Sequence, residues 1–406
     1  MKSLGLIVEY NPFHNGHLYH LQQSKKQSQA DVVIAVMSGN FLQRGEPALV
    51  SKWTRAKMAL EAGVDLVVEL PYAYATQRAD RFAYGAVSIL DALKCDEIIF
   101  GSESGKIDPF INTVHFLNEK EKEYNDWIQK HVQSGVSYPM AASLAFSELS
   151  GRPEETVDLT KPNNILGYHY VNSIRQIGST MKINTVQRTG AGYHDEGHGT
   201  DKIASATGIR KILFSDNGEL SEINELVPPT TFNGLIQHQQ VFSTFISWER
   251  YFDFLKLRLL TSSPEDLSQV YECVEGIEHR LLDQIIRSES FTGFLDAVKT
   301  KRYTWTRLQR ICTHLLTNAK KEVMYRVLTE QPTYIRLLGM NQNGQQYLNA
   351  NKKKVELPIV STLSKYSDDF LKLDIKATNT YILGFPVKHH TTLWRQEYSN
   401  TPIRIE

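Results

Sequence analysis

Two histidines three positions apart, His14 and His17, stand in the run Asn11-Pro12-Phe13-His14-Asn15-Gly16-His17, between an apolar segment and a helical one. Leu4-Gly5-Leu6-Ile7-Val8-Glu9 has the character of a buried parallel strand. Pro12 keeps the residue before it out of the helical region, and Gly16 lets a ligand approach the backbone closely. Leu18, Leu21 and Gln22 then begin an amphipathic helix. Both imidazoles therefore lie at or just before a helix N-terminus, where free N–H groups and the positive end of the dipole receive phosphate. Ring N–H groups added at that place can stabilise an anion that gains charge during reaction. Ordinary loop histidines would leave the same two letters, but the strand–turn–helix setting favours nucleotide phosphate. A P-loop or dinucleotide reading is disfavoured, because no Gly-x-x-x-x-Gly-Lys-Ser/Thr or Gly-x-Gly-x-x-Gly follows a strand.

A second anion cradle is legible at Ser205-Ala206-Thr207-Gly208-Ile209-Arg210, reached through the glycine-rich stretch Gly192-Tyr193-His194 to Gly199. Ser205 suits a helix N-cap, and Thr207 and Arg210 could add a hydroxyl and a guanidinium to the same phosphate; a plain capped helix with a solvated arginine would read alike. Gly101 ends a strand and would let a base or ribose lie on bare backbone, or it simply makes a turn. Arg188 ends another strand and could bond phosphate, stack on adenine or remain a surface arginine. Asn163 enters a helix, where it could read a base edge or cap. Lys52 and Arg55, after the polar run Asn40–Pro47, could neutralise a triphosphate or line a solvated helix face.

The elements that must position these groups alternate. Strands are expected at Leu4–Glu9, Asp31–Met37, Asp65–Leu70, Glu97–Gly101 and Lys182–Gln187, with helices such as Lys52–Ala62 and Phe82–Leu93 between them. That order predicts an α/β fold with a Rossmann-like doubly wound parallel sheet, whose ligands bind at the carboxyl ends of the strands. Residues 104–180 read as a helical insertion broken at Gly-Val-Ser-Tyr-Pro 135–139. The sheet domain is expected over residues 1–215 and a mainly α-helical C-terminal domain over 216–406, with helices Phe245–Thr261, Leu267–Ile286, Phe291–Thr300 and Arg307–Leu328. From Thr333 short strand-like pieces and Lys352-Lys353-Lys354 follow.

The 406 residues carry 45 Lys+Arg and 45 Asp+Glu, so a nucleic-acid site has to be a local patch. The strongest is Ala297–Lys321, with Lys299, Lys301, Arg302, Arg307, Arg310, Lys320 and Lys321, no acid, and Tyr303 and Trp305 interleaved. Aromatics beside arginines suit unpaired RNA bases, although a basic solvated helix has the same composition. Three scattered cysteines without a CxxC pair fit a reducing cytoplasm and no structural metal; no signal peptide or membrane span is expected.

The His14–His17 turn resembles the signature of the HxGH nucleotidyltransferase superfamily, and the chain as a whole resembles the bacterial tRNA(Met) cytidine acetate ligase family. The matching segments are Gly5–His17, Ser38–Ala48, Asp65–Pro71, Phe100–Glu103, Lys161–Gly167, Ser205–Arg210 and Lys301–Thr304. Ala204 and Ala206 depart from the superfamily's Ser-Ser-Thr-x-Ile-Arg. The resemblance implies a ligase that makes acetyl-adenylate from acetate and ATP, with Mg2+ on the triphosphate. It then passes acetyl to the exocyclic amine of the wobble cytidine of elongator tRNA(Met). It implies His14, His17 and Arg210 as catalytic residues. ATP would contact Ile7, Val8, Glu9, Tyr10, Asn11, Pro12, Phe13, His14, Asn15, Gly16, His17, Leu18, Tyr19 and His20, with Gly101, Asn163, Arg188, Ser205 and Thr207. The basic stretch would hold the tRNA, and no obligate protein partner is implied. Two rival classes are a small-molecule adenylyltransferase, which needs no basic helical domain, and a noncatalytic RNA-binding protein, which has no use for His14, His17 and Arg210.

Overall fold

Eight strands make one sheet: β1 (Ser3–Val8), β2 (Val32–Ser38), β3 (Leu66–Leu70), β4 (Glu97–Ser102), β5 (Lys182–Gln187), β6 (Ile335–Met340), β7 (Ile359–Val360) and β8 (Ile403–Arg404). The computed structural model describes residues 1–188, 203–216 and 218–406. The order is β5-β4-β1-β2-β3-β6-β7, with β8 also on β6, and β1 to β5 run parallel. The first five strands lie within one residue of their expected bounds. β2 is buried at every residue, because helices cover both faces and an unbroken apolar run is what such a strand requires.

The order of strands reverses between β1 and β4, the switch point at which such sheets open a crevice. β1 and β2 pair from Ser3↔Val32 to Val8↔Met37, whereas β1 meets β4 only at Leu4↔Glu97 and Gly5↔Ile98. The carboxyl halves of β1 and β4 therefore part. On β1, Leu6 and Val8 pack with Tyr10 and Phe13 toward the helix Asn15–Ser28, while Ile7 packs into the opposite core layer.

The insertion is four helices, Asp108–Glu119, Glu121–Gln133, Tyr138–Glu148 and Pro162–Ile177. Two of the long helices expected after residue 215 are each divided. The stretch Leu267–Ile286 breaks into Pro264–Ser268 and Ile277–Ile285, since Glu272, Glu275 and Gly276 take left-handed backbone (φ 60, 64 and 77°). The stretch Arg307–Leu328 breaks into Trp305–Leu316 and Lys321–Leu328 at Asn318 (φ 50°). Helical periodicity continues across both breaks, so it could not reveal them.

The tail differs more. Residues from Thr333, read with the helical domain, return to the sheet: β6 pairs antiparallel with β3, and β7 and β8 flank β6. A buried ion cluster fastens this return. Lys52 Nζ donates to both oxygens of Glu69 (3.0 and 2.9 Å) and to Glu397 at 2.7 Å, and all three residues are buried. Lys52 is thus no candidate for a triphosphate: two carboxylates from segments far apart already hold its charge. Breaking a buried ion pair strands the charge left behind, at about 3–5 kcal/mol. Lys52→Met should lose stability on that scale in denaturant unfolding, and adding Glu69→Gln and Glu397→Gln should recover most of it. A Lys52→Met protein as stable as the parent would remove the cluster from the account of how the tail is held.

Candidate active site

The turn after β1 is built by its own side chains. The His14 ring caps the helix Asn15–Ser28, its Nδ1 accepting the Gly16 N–H at 3.0 Å. The His17 Nδ1 reaches back to accept the His14 N–H at 3.4 Å. With Nδ1 an acceptor in each ring, the proton sits on Nε2, and each imidazole offers one N–H donor. The rings stack with centroids 3.8 Å apart. A Cβ on Gly16 would lie 2.9 Å from the His14 ring, so only glycine allows this cap.

Other contacts fix the turn from outside. Asn11 Oδ1 accepts the Leu49 N–H at 2.7 Å, and Asn15 donates from its side chain to the Glu225 carbonyl at 2.8 Å. Ile7, Val8, Tyr10 and Phe13 lie in or against the core, and Leu18 and Tyr19 pack on it. These side chains position the turn from behind.

The second cradle folds onto the first. Ser205 Oγ accepts the Gly208 N–H at 3.1 Å and caps the helix Ala206–Leu213, whose Ile209 is fully buried. Arg210 donates to the Asn11 carbonyl at 2.7 Å and to Glu46 at 2.6 Å. Ser205 and Thr207 stay exposed. His14, His17 and Arg210, nearly two hundred residues apart in sequence, are therefore brought to one crevice.

Arg188 comes to the same place. A Cβ on Gly101 would stand 3.0 Å from the Arg188 side chain and 3.7 Å from the His20 ring, so the missing side chain leaves space between β4 and the first helix. Asn163 does not cap its helix, where Lys161 holds the cap position; its amide donates to Glu103 at 3.1 Å. The stretch Gly192–Gly199, with Thr189 and Gly190, lies outside the described residues. A cleft of about 620 Å³ between the helices Lys52–Glu61 and Pro229–Phe242 is lined by none of these groups.

Burial, then the charges of Arg188 and Arg210, push His14 down to about 4. His17 is also lowered, by burial first and then by His14, His20 and Arg188. Both rings are neutral donors at neutral pH, a state suited to an oxyanion whose charge the two arginines already balance.

Three groups take other parts than their sequence suggests. Arg55 is fully buried and donates to the carbonyls of Glu9 at 2.6 Å, Ser38 at 3.1 Å, Val50 and Gly39, so it closes the ends of β1 and β2 and most of its donors are taken by backbone. Glu46 had no role in sequence beyond a polar loop, yet it holds Arg210. The basic stretch is partly neutralised in space. Arg310 is buried against Glu272 at 3.0 Å, and Glu275 lies 3.1 Å from Arg302 and 3.7 Å from Arg307. Tyr303 is buried and bonds Glu275, while Trp305 donates to Gln309. Lys299, Lys301 and Arg302 remain exposed, and Lys320 and Lys321 are half-buried. An acid-free stretch of sequence did not reveal acids that reach it from the loop at 272–275.

The histidines make stability depend on pH. His14, His20, His238 and His314 are each held near 4 by burial, against an ordinary value of 6.5. The unfolded chain takes up these protons near pH 6.5 and the folded chain only near 4. Stability is therefore whole above 6.5 and lost as pH falls through that window, by about 1.4 kcal/mol per pH unit for each ring kept neutral. The melting temperature should drop steeply from pH 6.5 to 4.5, and less steeply in His314→Gln, whose ring bonds Tyr72 away from the crevice. A flat melting temperature from pH 7 to 5 would contradict the neutral state of these rings.

The chain matches the family model described as HIGH Nucleotidyl Transferase over residues 1–396. It is 48% identical to the tRNA(Met) cytidine acetate ligase of Halalkalibacterium halodurans, covering 100% of this chain and 98% of that one. It is 49% identical to the one of Bacillus subtilis, with the same coverage. Among solved structures, Thermotoga maritima TmcAL bound with alpha-thio ATP superposes with a TM-score of 0.90 at 35% identity, over 100% of both chains. By its first turn, its sheet and its full-length relatives, the chain belongs to the tRNA(Met) cytidine acetate ligase family of HIGH nucleotidyl transferases.

Proposed function

We propose that this protein activates acetate with ATP and passes the acetyl group to the exocyclic amine of the wobble cytidine in elongator tRNA(Met), in the cytoplasm. The observation that carries the reading is the pair of stacked, neutral imidazoles at the sheet's switch point, faced by Arg210. In the first step an acetate oxygen bonds the α-phosphorus of ATP while the bond to pyrophosphate breaks. A carboxylate is nucleophile enough without a base, so the crevice has only to orient the reactants and stabilise charge. The Nε2–H groups of His14 and His17 do so at the α-phosphate, and Arg210, Ser205 and Thr207 hold the departing phosphates. Gly101, Arg188, His20 and Asn163 bound the side where adenosine is placed.

Magnesium fits this site as the counter-ion of ATP. Among the described residues no group of three or more His, Cys, Asp or Glu could cage an ion, so the triphosphate itself would supply most of its ligands. Among the described residues no helix is long and apolar enough to cross a membrane. The helical unit touches the loop that holds Arg210 directly: Thr313 and Trp248 both donate to the Gly45 carbonyl, at 2.7 and 3.0 Å. RNA held on the exposed Lys299, Lys301 and Arg302 would thus rest on the unit that supports the crevice.

Incubation with ATP, labelled acetate and total tRNA should place label in elongator tRNA(Met) and release AMP and pyrophosphate in equal amounts. AMP found on a metabolite would favour a small-molecule adenylyltransferase, and no transfer at all would favour an RNA-binding protein. His17→Ala should lower pyrophosphate formation by about 10²–10³-fold, with tRNA affinity changed little. Full acetylation by that variant would overturn the role given to the histidines. Charge reversal at Lys301 and Arg302 should do the opposite, weakening tRNA binding and its salt dependence while acetate-dependent pyrophosphate exchange persists.

A further inference from the structure

The second half of that reaction needs a group the first half does not. When the cytidine amine attacks the acetyl carbonyl, a C–N bond forms, the bond from acyl carbon to phosphate oxygen breaks, AMP leaves, and the nitrogen must give up a proton. The histidines are poor acceptors for it, being buried beside Arg188 and Arg210 and committed as donors.

On this reading of the protein as an acetate ligase, we propose that Glu9 takes the amine proton during acetyl transfer. Glu9 follows β1 at the open edge of the sheet. By the alternation of that strand its side chain falls on the Ile7 face, away from the first helix and its histidines. One carboxylate oxygen accepts the Gln43 N–H at 2.6 Å; among the described residues the other has no hydrogen-bond partner and is not sealed in the core. Arg55 lies close but its bonds go to carbonyls, including that of Glu9 itself, and among the described residues no cation is hydrogen-bonded to the carboxylate.

Two sets of contacts relate this carboxylate to Arg210 and to the helical unit. Glu46 is bonded to Arg210 at 2.6 Å and is also near enough to Glu9 to repel its charge, so Glu9 stands one side chain from the arginine of the second cradle. The backbone that holds Glu9 belongs to the loop 40–47, whose Gly45 carbonyl is bonded by Thr313 and Trp248 of the helical unit. A nucleotide presented by that unit arrives on the Glu9 side.

The groups that set its proton affinity are Arg44 and Glu46 on the loop, Arg55 on the helix Lys52–Glu61 and Tyr170 on the helix Pro162–Ile177. Burial outweighs the cations and raises Glu9 above the usual carboxylate range. That makes the ionised carboxylate a better base than a solvated one, and its open oxygen is where the amine proton would bond.

The test separates the two half-reactions in the full-length protein. Acetate-dependent ATP–pyrophosphate exchange reads adenylate formation, and single-turnover transfer of labelled acetyl to tRNA reads the second step. Glu9→Gln keeps an oxygen to accept the Gln43 N–H, so a role limited to ordering the loop survives the change. We expect transfer to fall by about 10²-fold or more, at least ten times further than exchange, with tRNA affinity kept. In the parent protein the transfer rate should climb with pH until the carboxylate is ionised and then level off, and Glu9→Gln should lose that climb. Transfer by Glu9→Gln at the parent rate overturns the assignment, as does a pH dependence of transfer that Glu9→Gln keeps unchanged. A parent protein that labels no tRNA defeats the ligase reading itself, which is a different failure.

Discussion

The guanidinium of Arg210 donates to the Asn11 carbonyl at 2.7 Å and to Glu46 at 2.6 Å, and so joins three segments separated by 199 and 164 residues. Each contact solves a local need. Asn11 sits in a turn whose carbonyl has left the sheet ladder, and a polar group there must find a donor. Arg210 is largely buried and needs an anion, which Glu46 supplies. The fixed donors of an arginine fork then dictate the distance between the first turn and the second cradle. Phosphates entering between them meet a frame already set, which is why the geometry can serve catalysis with little reorganisation.

The same economy of partners explains why several basic residues are not ligand contacts. Arg55 and Lys52 are both fully buried, and each is held by partners of the protein's own, one by strand-end carbonyls and the other by Glu69 and Glu397. They close the carboxyl ends of β1 to β3, where parallel strands leave unpaired carbonyls and a converging set of dipoles. A charge there is structural when its donors are used up. Arg188 and Arg210 lie at the crevice proper, and their charge is felt by the histidines.

Much of this was legible in the sequence. Five strands and the two cradles follow from apolar runs, caps and spacing, which depend on neighbours in the chain. What sequence missed depends on contacts across the chain. Glu272 and Glu275 neutralise arginines more than 25 residues away, and nothing local to Ala297–Lys321 announces them. β6 to β8 are short and sit after a helical region, so their pairing with β3 could not be read from their own letters. Glu46 carried no pattern of its own, and Glu9 entered only as a strand end and one of the ATP contacts that the resemblance implies. Their meaning comes from Arg210 and Gln43, one distant and one met only through its backbone.

The division of the crevice into two faces carries the chemistry furthest. Histidines on the first-helix side are kept neutral by burial and by two arginines, a state that donates hydrogen bonds and takes no proton. A carboxylate on the other face is held by one backbone N–H and, among the described residues, has no hydrogen-bonded cation, a state that accepts a proton. Adenylation needs only the first kind of group, and acyl transfer to an amine needs the second. β1 supplies both from a single edge because successive residues of a strand face opposite sides. Glu9 directly after β1 and His14 at the cap of the next helix would put the groups for two consecutive reactions at one edge of the sheet.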